Sequence, residues 1–265
     1  MTKTDLIDVF NDTVAQTTYK YPIANVKTVF YHGDLVVAPE KRTEVTVVRS
    51  GTVSAGYRYA DAMRVAILNF ADATSCGGLV TEGATAQEES ICRCTNLYSV
   101  LRQRACDEEF YLPNLADYSA RRRAHEKACA LYTNNVIYAD GVTVFKDDVT
   151  YKNIEPRQLA VITCPAPSSR LPQTDAFELY VKRIKQILFS AIRNGADCIV
   201  LGAWGCGAFG QDPRVVAQAF REVIRVWGGH FKKVVFAFRD CDDEVLKIFT
   251  DAFKQTNHKL EVAYE

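Results

Sequence analysis

Glu88 and Glu89 are adjacent carboxylates, preceded by Gln87 and by a stretch that carries Gly77, Gly78 and Gly83. Paired carboxylates can hold hydroxyl groups or pass a proton to a leaving oxygen. On a regular helix, however, consecutive side chains diverge by about 100°, and such a pair is ordinarily a solvated face. It serves one ligand only at an irregular helix start, or where the ligand spans both groups. The surroundings favour a ligand. The run Arg64-Val-Ala-Ile-Leu-Asn-Phe-Ala71 is short and continuously apolar, which reads as a buried strand. Strand, glycine loop and a helix beginning near Gln87 then follow in order. In an open α/β sheet, ligands bind beyond the carboxyl ends of the strands. Asn69 stands at that end, placed to hydrogen-bond whatever occupies the crevice.

A second constellation is Gly202-Ala-Trp-Gly-Cys-Gly-Ala-Phe-Gly210, followed by Asp212-Pro213. Asp is a favoured N-cap and Pro a favoured first helical residue. A glycine-rich loop feeding a helix N-terminus can hold an anion, because its backbone N–H groups approach closely and the helix dipole favours negative charge. The Lys-[Ser/Thr] of a nucleoside-triphosphatase loop is missing, which argues against ATP or GTP hydrolysis. Phe209 lies among small residues in this loop, an unusual setting for a core aromatic.

The elements that must position these loops are legible from periodicity. Residues 4 to 17 read as a helix with Leu6, Ile7, Val9, Phe10 and Val14 as its apolar stripe, ended by Pro22. Residues 26 to 31 and 44 to 48 read as strands, the second alternating like a half-exposed one. Residues 51 to 62 suggest a short helix. Residues 136 to 138 and 142 to 145 suggest a hairpin or two edge strands, and 159 to 164 a core strand. A long amphipathic helix spans 175 to 193, on one side of which lie Phe177, Tyr180, Val181, Ile184, Ile187, Leu188 and Ala191, with Gly195 at its C-terminal end. Two further core strands cover 198 to 201 and 234 to 238. The helices between them make repeated β-α-β crossovers, hence a mixed or parallel sheet covered on both faces. Residues 106 to 135, rich in charge and tyrosine, give no clear period.

The chain has 265 residues, 48% of them hydrophobic, enough for one large core. Lys plus Arg equals Asp plus Glu at 32 each, so no global field draws nucleic acid or anionic membrane. The run Arg121-Arg122-Arg123 reads as a solvated helix face. No signal peptide or membrane-spanning run is visible. Nine cysteines, with Cys164 and Cys198 inside strands, suggest small buried residues in a reducing, cytoplasmic setting. Cys92 and Cys94 are too few for a zinc site, and no histidine lies near them.

The first motif resembles the signature of the microbial-type poly(ADP-ribose) glycohydrolases, members of the macrodomain superfamily: three glycines, a short spacer, then Gln-Glu-Glu. Residues 77 to 79 fill the glycine slot, seven residues follow, and Gln87-Glu88-Glu89 completes it. The likeness continues through Leu68-Asn69-Phe70-Ala71, Ser90-Ile91-Cys92-Arg93 and Leu97-Tyr98. The loop at 202–210 is similar to the family's second signature. The resemblance spans about residues 40 to 250. It implies a macrodomain-like three-layer α/β/α fold with a mixed, mostly parallel sheet. Residues 1–40 would then be an N-terminal helical extension packed on a domain of residues 41–265.

It also implies a function: an ADP-ribose glycohydrolase that cleaves ribose–ribose O-glycosidic bonds of poly(ADP-ribose) or ADP-ribosylated macromolecules and releases ADP-ribose. No cofactor, metal or membrane partner is implied. Glu89 is then the catalytic acid and Glu88 the neighbour that holds the ribose hydroxyls. Asn69, Ala71, Gly77, Gly78, Leu79 and Gln87 form one side of the substrate site. Gly205, Cys206, Gly207 and Ala208 wrap the diphosphate, and Phe209 stacks on the distal part of ADP-ribose. Glycoside cleavage needs a proton on the leaving oxygen and stabilisation of an oxocarbenium-like sugar. A nearby diphosphate, and Glu88 itself, would favour the protonated form of Glu89. Glu89, once a carboxylate, would activate water. A binding module without turnover, or a hydrolase of mono-ADP-ribosyl linkages, are the alternatives.

Three residues depart from the pattern. Leu79 replaces the third glycine, with a cost of about 1–2 kcal/mol if that position needs positive φ, or a narrower cleft if it needs close approach. Asp72 adds negative charge near the phosphates. Cys76 takes a place often held by proline and is expected to loosen the loop.

Overall fold

The computed structural model describes residues 1–31, 43–167, 173–239, 241–254 and 259–263. In chain order the elements are α1 (Lys3–Tyr19), β1 (Lys27–Tyr31), β2 (Glu44–Val48), α2 (Thr52–Tyr59), β3 (Val65–Phe70) and α3 (Gln87–Cys94). Next come α4 (Leu97–Leu101), α5 (Arg104–Cys106), a π-helical turn at Asp107–Tyr111, α6 (Leu112–Arg123), β4 (Val136–Lys146) and β5 (Asn153–Cys164). The chain continues through α7 (Gln173–Arg193), β6 (Cys198–Leu201), α8 (Pro213–Trp227), β7 (Lys233–Ala237), α9 (Asp243–Lys254) and β8 (Lys259–Ala263).

The strands form one sheet in the order β1-β4-β5-β3-β6-β7-β2-β8. The β1–β4 and β4–β5 pairings are antiparallel, whereas every pairing from β5 across to β8 is parallel. The sheet is therefore mixed and mostly parallel, as expected. Successive side chains of a strand point to opposite faces, and β3 shows the consequence. Its Ala66 and Leu68 enter a core shared with Tyr180, Ile184, Phe220 and Phe249 of α7, α8 and α9. Its Val65 and Ile67 enter the other, shared with Phe10, Val53, Ile91 and Val100 of α1 to α4. Helix layers on both faces of the sheet complete the three-layer α/β/α arrangement. Among the described residues, no helix is long and apolar enough to cross a membrane.

Three local expectations change. β2 is not half-exposed: Val45, Val47, Val48 and Thr46 are all buried, because β2 lies between β7 and β8 with both faces covered. Residues 136–146 form one strand rather than a hairpin, and its register against β5 shifts between Ala139 and Val142, where Gly141 adopts φ +87°. The buried face of α1 is Leu6, Phe10, Thr13 and Thr17, while Ile7, Val9 and Val14 are half-buried. Thr13 is drawn inward by hydrogen bonding. Thr13 Oγ1 donates to Arg93 O at 2.6 Å and accepts from the buried Lys146 Nζ at 2.8 Å, and that amine also pairs with Asp12 at 2.6 Å. Within residues 106–135, 107–123 become α6 and its π-helical lead-in, with Arg122 and Arg123 exposed, and 124–135 form an irregular loop. Gly195, at φ +70°, follows the end of α7 as expected. Cys164 and Cys198 are buried strand residues.

Candidate active site

The carboxyl end of β3 is where chain and cleft meet. β6 pairs with β3 only over Val65–Ile67, leaving the backbone beyond without that partner. Gln87 takes over. Its Oε1 accepts from Phe70 N at 2.8 Å, and its Nε2 donates to Leu68 O at 2.6 Å and to Thr52 Oγ1 at 3.1 Å. A side-chain amide thus imitates a neighbouring strand and seats the first turn of α3 against the sheet. Asn69, fully buried, donates to Glu88 Oε1 at 3.1 Å and to Thr163 Oγ1 at 3.3 Å. Ala71 is also buried, its N–H donating to Asn69 O at 3.0 Å.

Glu88 and Glu89 lie in the first turn of α3, where the helix dipole favours negative charge. Both are buried, at 3% and 6% exposure. Their side chains do diverge, each toward its own donor. Glu88 Oε2 accepts from Asp72 N at 2.7 Å, and Glu89 Oε1 accepts from Leu79 N at 3.0 Å. Gly78 bridges the two. A Cβ there would stand 2.6 Å from Glu89 Oε1 and 3.3 Å from Glu88 Oε2, and the residue has φ +59°. Only glycine lets the loop arch over both groups. At Gly77, with φ +71°, a Cβ would meet the Tyr98 ring at 2.7 Å. Burial pushes the Glu88 carboxyl up to about 8, against the lowering effect of the Asp72 N–H and Asn69 hydrogen bonds. A fully buried carboxyl with this shift is protonated near neutrality.

The residues that depart from the family pattern fit this loop. Leu79 has φ −104°, so it carries none of the positive-φ strain considered above, and its side chain is 52% exposed at the cleft. Asp72 turns its carboxylate onto its own loop, accepting from Thr74 N, Thr74 Oγ1 and Ser75 N at 2.7 to 3.0 Å. Cys76 does not leave the loop slack. Gly78 N donates to Ser75 O at 3.0 Å and Val80 N to Gly77 O at 3.3 Å, while burial raises the Cys76 thiol to about 12.

The second loop is held from below by Trp204, fully buried, whose Nε1 donates to Cys164 O at 3.2 Å. Gly205 has φ +85°, and a Cβ there would lie 2.0 Å from Tyr180 Oη. The loop therefore packs flat on α7 and turns outward at Gly207 and Ala208, which are exposed. Phe209 is half-buried, packed on the core edge with part of its surface on the cleft. The α8 N-terminus does not join the site as the sequence suggested. Asp212 caps it by accepting from Arg214 N at 2.9 Å, and the cleft is lined by residues 205–209 instead.

These parts enclose one cleft of about 950 Å³. Gly78, Leu79, Gln87, Glu88 and Glu89 form one wall, and Gly205, Cys206, Gly207, Ala208 and Phe209 another. Asn69, Ala71 and Gly77 lie beneath, shaping rather than lining it. Sequence reasoning missed the far wall: Asp148, Val149 and Tyr151, together with Arg239 and the Met1 and Leu6 side chains of the N-terminus. Asp148 is buried and caps α2, accepting from Val53 N at 3.1 Å and Ser54 N at 3.2 Å. Arg239 donates to Asp148 O and, at 3.4 Å, to Ser90 Oγ. The only advance signal was the Asp147-Asp148 pair in a turn. Arg239 is the one Lys or Arg among the described residues lining the cleft. Among the described residues, no group of three or more His, Cys, Asp or Glu is placed to hold a metal ion.

The chain matches the family described as microbial-type PARG, catalytic domain, over residues 2–147, PARG standing for poly(ADP-ribose) glycohydrolase. Among solved structures, it resembles poly(ADP-ribose) glycohydrolase from Thermomonospora curvata, with 28% identity, 94% of this chain and 100% of that one covered, and a TM-score of 0.78. The same enzyme bound to the inhibitor ADP-HPD gives 30% identity over 94% and 100%, with a TM-score of 0.76. Poly(ADP-ribose) glycohydrolase from Deinococcus radiodurans in complex with ADP-ribose gives 28% identity over 95% and 90%, with a TM-score of 0.70. No curated protein matches the chain.

Proposed function

The chain belongs to the microbial-type poly(ADP-ribose) glycohydrolase family, and on that premise we propose that it hydrolyses ribose–ribose O-glycosidic bonds of poly(ADP-ribose) and releases ADP-ribose. The observation that carries this reading is the pair of buried, consecutive carboxylates on either side of Gly78, at one wall of a cleft large enough for a nucleotide sugar. Relatives of this fold are described with ADP-ribose or an inhibitor bound.

In this proposal Glu89 is the general acid. It protonates the departing ribose hydroxyl oxygen as the bond to the anomeric carbon breaks, leaving an oxocarbenium-like sugar. The Glu89 carboxylate then takes a proton from water, whose oxygen bonds to the anomeric carbon, and the acid is restored. Glu88, kept neutral by burial, can both donate to and accept from the ribose hydroxyls. The substrate's own phosphates lie close to the developing cation and help to stabilise it. The backbone of Gly205, Cys206, Gly207 and Ala208 wraps the diphosphate, and Phe209 stacks on the distal part. Asn69, Ala71 and Gly77 support the site from below, through Glu88, the strand end and the glycine loop, while Gln87 lines the wall and holds the strand end. An extension of residues 1–40 on a catalytic domain of residues 41–265 is proposed, and its described part is integrated with that domain, anchored through Thr13 and Lys146, paired through β1 with β4, and reaching the cleft with Leu6. A reducing cytoplasm suits nine cysteines that are all unpaired.

The test is incubation with poly(ADP-ribosyl)ated protein, followed by chromatography for free ADP-ribose. Release supports the assignment. Tight ADP-ribose binding without release would leave a binding module in its place.

A further inference from the structure

We propose that Leu79 is a specificity-determining residue that selects the leaving group. Its side chain narrows the cleft beside Glu89, favouring a slim leaving group, such as the primary hydroxyl of a serine side chain, over the ribose 2′-hydroxyl of a polymer. The inference rests on the reading above, because a general acid must touch the leaving oxygen. Whatever adjoins the Glu89 carboxyl therefore adjoins the leaving group. Leu79 N donates to Glu89 Oε1 at 3.0 Å, and Leu79 lines the same cleft, so this residue stands beside that carboxyl. Three large exposed apolar side chains border the cleft, Met1, Leu79 and Val149, and of these Leu79 is the one bonded to the acid.

The backbone beneath Leu79 cannot retreat to make room. Its carbonyl accepts from Glu82 N at 3.0 Å and Ala84 N at 3.3 Å. On one side Gly78 N donates to Ser75 O at 3.0 Å, and on the other the fully buried Val80 pins the turn. The Leu79 side chain, 52% exposed, is thus a steric feature on a fixed support. A polymer's leaving oxygen is a secondary hydroxyl on a furanose ring, with substituted carbons on both sides. A serine oxygen sits on a single methylene. Of the two, the ring-borne oxygen brings more bulk against a side chain at this place, with two substituted carbons next to its own carbon where serine has one.

The experiment compares kcat/KM on poly(ADP-ribose) and on a serine-linked mono-ADP-ribosyl peptide for the wild type, Leu79→Ala and Leu79→Gly. Both variants keep the N–H that Glu89 uses, and a thermal melt checks their fold. The ratio of polymer to peptide kcat/KM is expected to rise about tenfold in Leu79→Gly, as pocket-size discrimination of this kind commonly gives, with Leu79→Ala between. A ratio within twofold of wild type in both folded variants would overturn the inference. So would a wild type that cleaves polymer but not peptide. Release from neither substrate by the wild type would remove the glycohydrolase reading itself, and this inference with it.

Discussion

Replacing Glu88 with glutamine isolates the consequence of burying a carboxyl under the glycine loop. Glu88 shifts from an ordinary value of 4.5 to about 8, with burial as the leading cause. The folded state therefore binds a proton that the unfolded chain releases between those two values, and the stability this group permits is lost as pH rises from about 4.5 to 8. At about 1.4 kcal/mol per unit, the loss between pH 5 and pH 9 comes to about 4 kcal/mol. Glutamine does not titrate, so the variant escapes that loss. It carries a different one: its NH2 must face the Asp72 N–H or the Asn69 amide, donor against donor, which costs about 1–3 kcal/mol at every pH. The two profiles should cross, with wild type more stable at pH 5 and Glu88→Gln more stable at pH 9 by about 2 kcal/mol. Urea unfolding at unit steps from pH 5 to 9 measures this, and differencing the two proteins cancels the other titrating groups. A difference that stays flat across that range would refute the argument, since the Glu88 proton would then not be linked to folding.

Two further substitutions probe the walls of the cleft. Phe209→Ala should raise the dissociation constant for ADP-ribose about tenfold, the order expected when an aromatic face is lost from a ligand; calorimetry showing no change would return Phe209 to the core edge. Gly78→Ala places a methyl 2.6 Å from Glu89 Oε1 at φ +59°, displacing the carboxyl. Turnover should fall by about two orders of magnitude while unfolding shifts by only about 1–2 kcal/mol, and full activity in that variant would show that the loop does not set the position of Glu89.

What could be read in advance was whatever local pattern decides. The continuous apolar run of β3 announced a strand covered on both faces, and the glycine loop followed by Gln87-Glu88-Glu89 marked the ligand side of it. The features that escaped are set by distant partners. The burial of β2 depends on β7 and β8 flanking it, which no alternation within residues 44–48 can reveal. Thr13 faces inward on α1, where the apolar stripe pointed elsewhere, because the Arg93 carbonyl and the Lys146 amine wait there. Asp148 caps a helix that begins nearly a hundred residues earlier in the chain, a partner that the Asp147-Asp148 pair alone does not reveal. Gln87 lines the cleft as expected, but that its amide also stitches Leu68, Phe70 and Thr52 together is set by the tertiary arrangement. The raised carboxyl of Glu88 likewise follows from tertiary burial, not from the doublet itself.

The most direct test of the central claim is single-turnover release of ADP-ribose from poly(ADP-ribosyl)ated protein by wild type beside Glu89→Gln, with ADP-ribose affinity measured on both. The account predicts rapid release by the wild type, loss of release in Glu89→Gln, and dissociation constants that agree within several fold, because removing an acid needed only in the transition state leaves ground-state binding in place. Undiminished release by a folded Glu89→Gln protein would contradict it and take the proton transfer away from this residue.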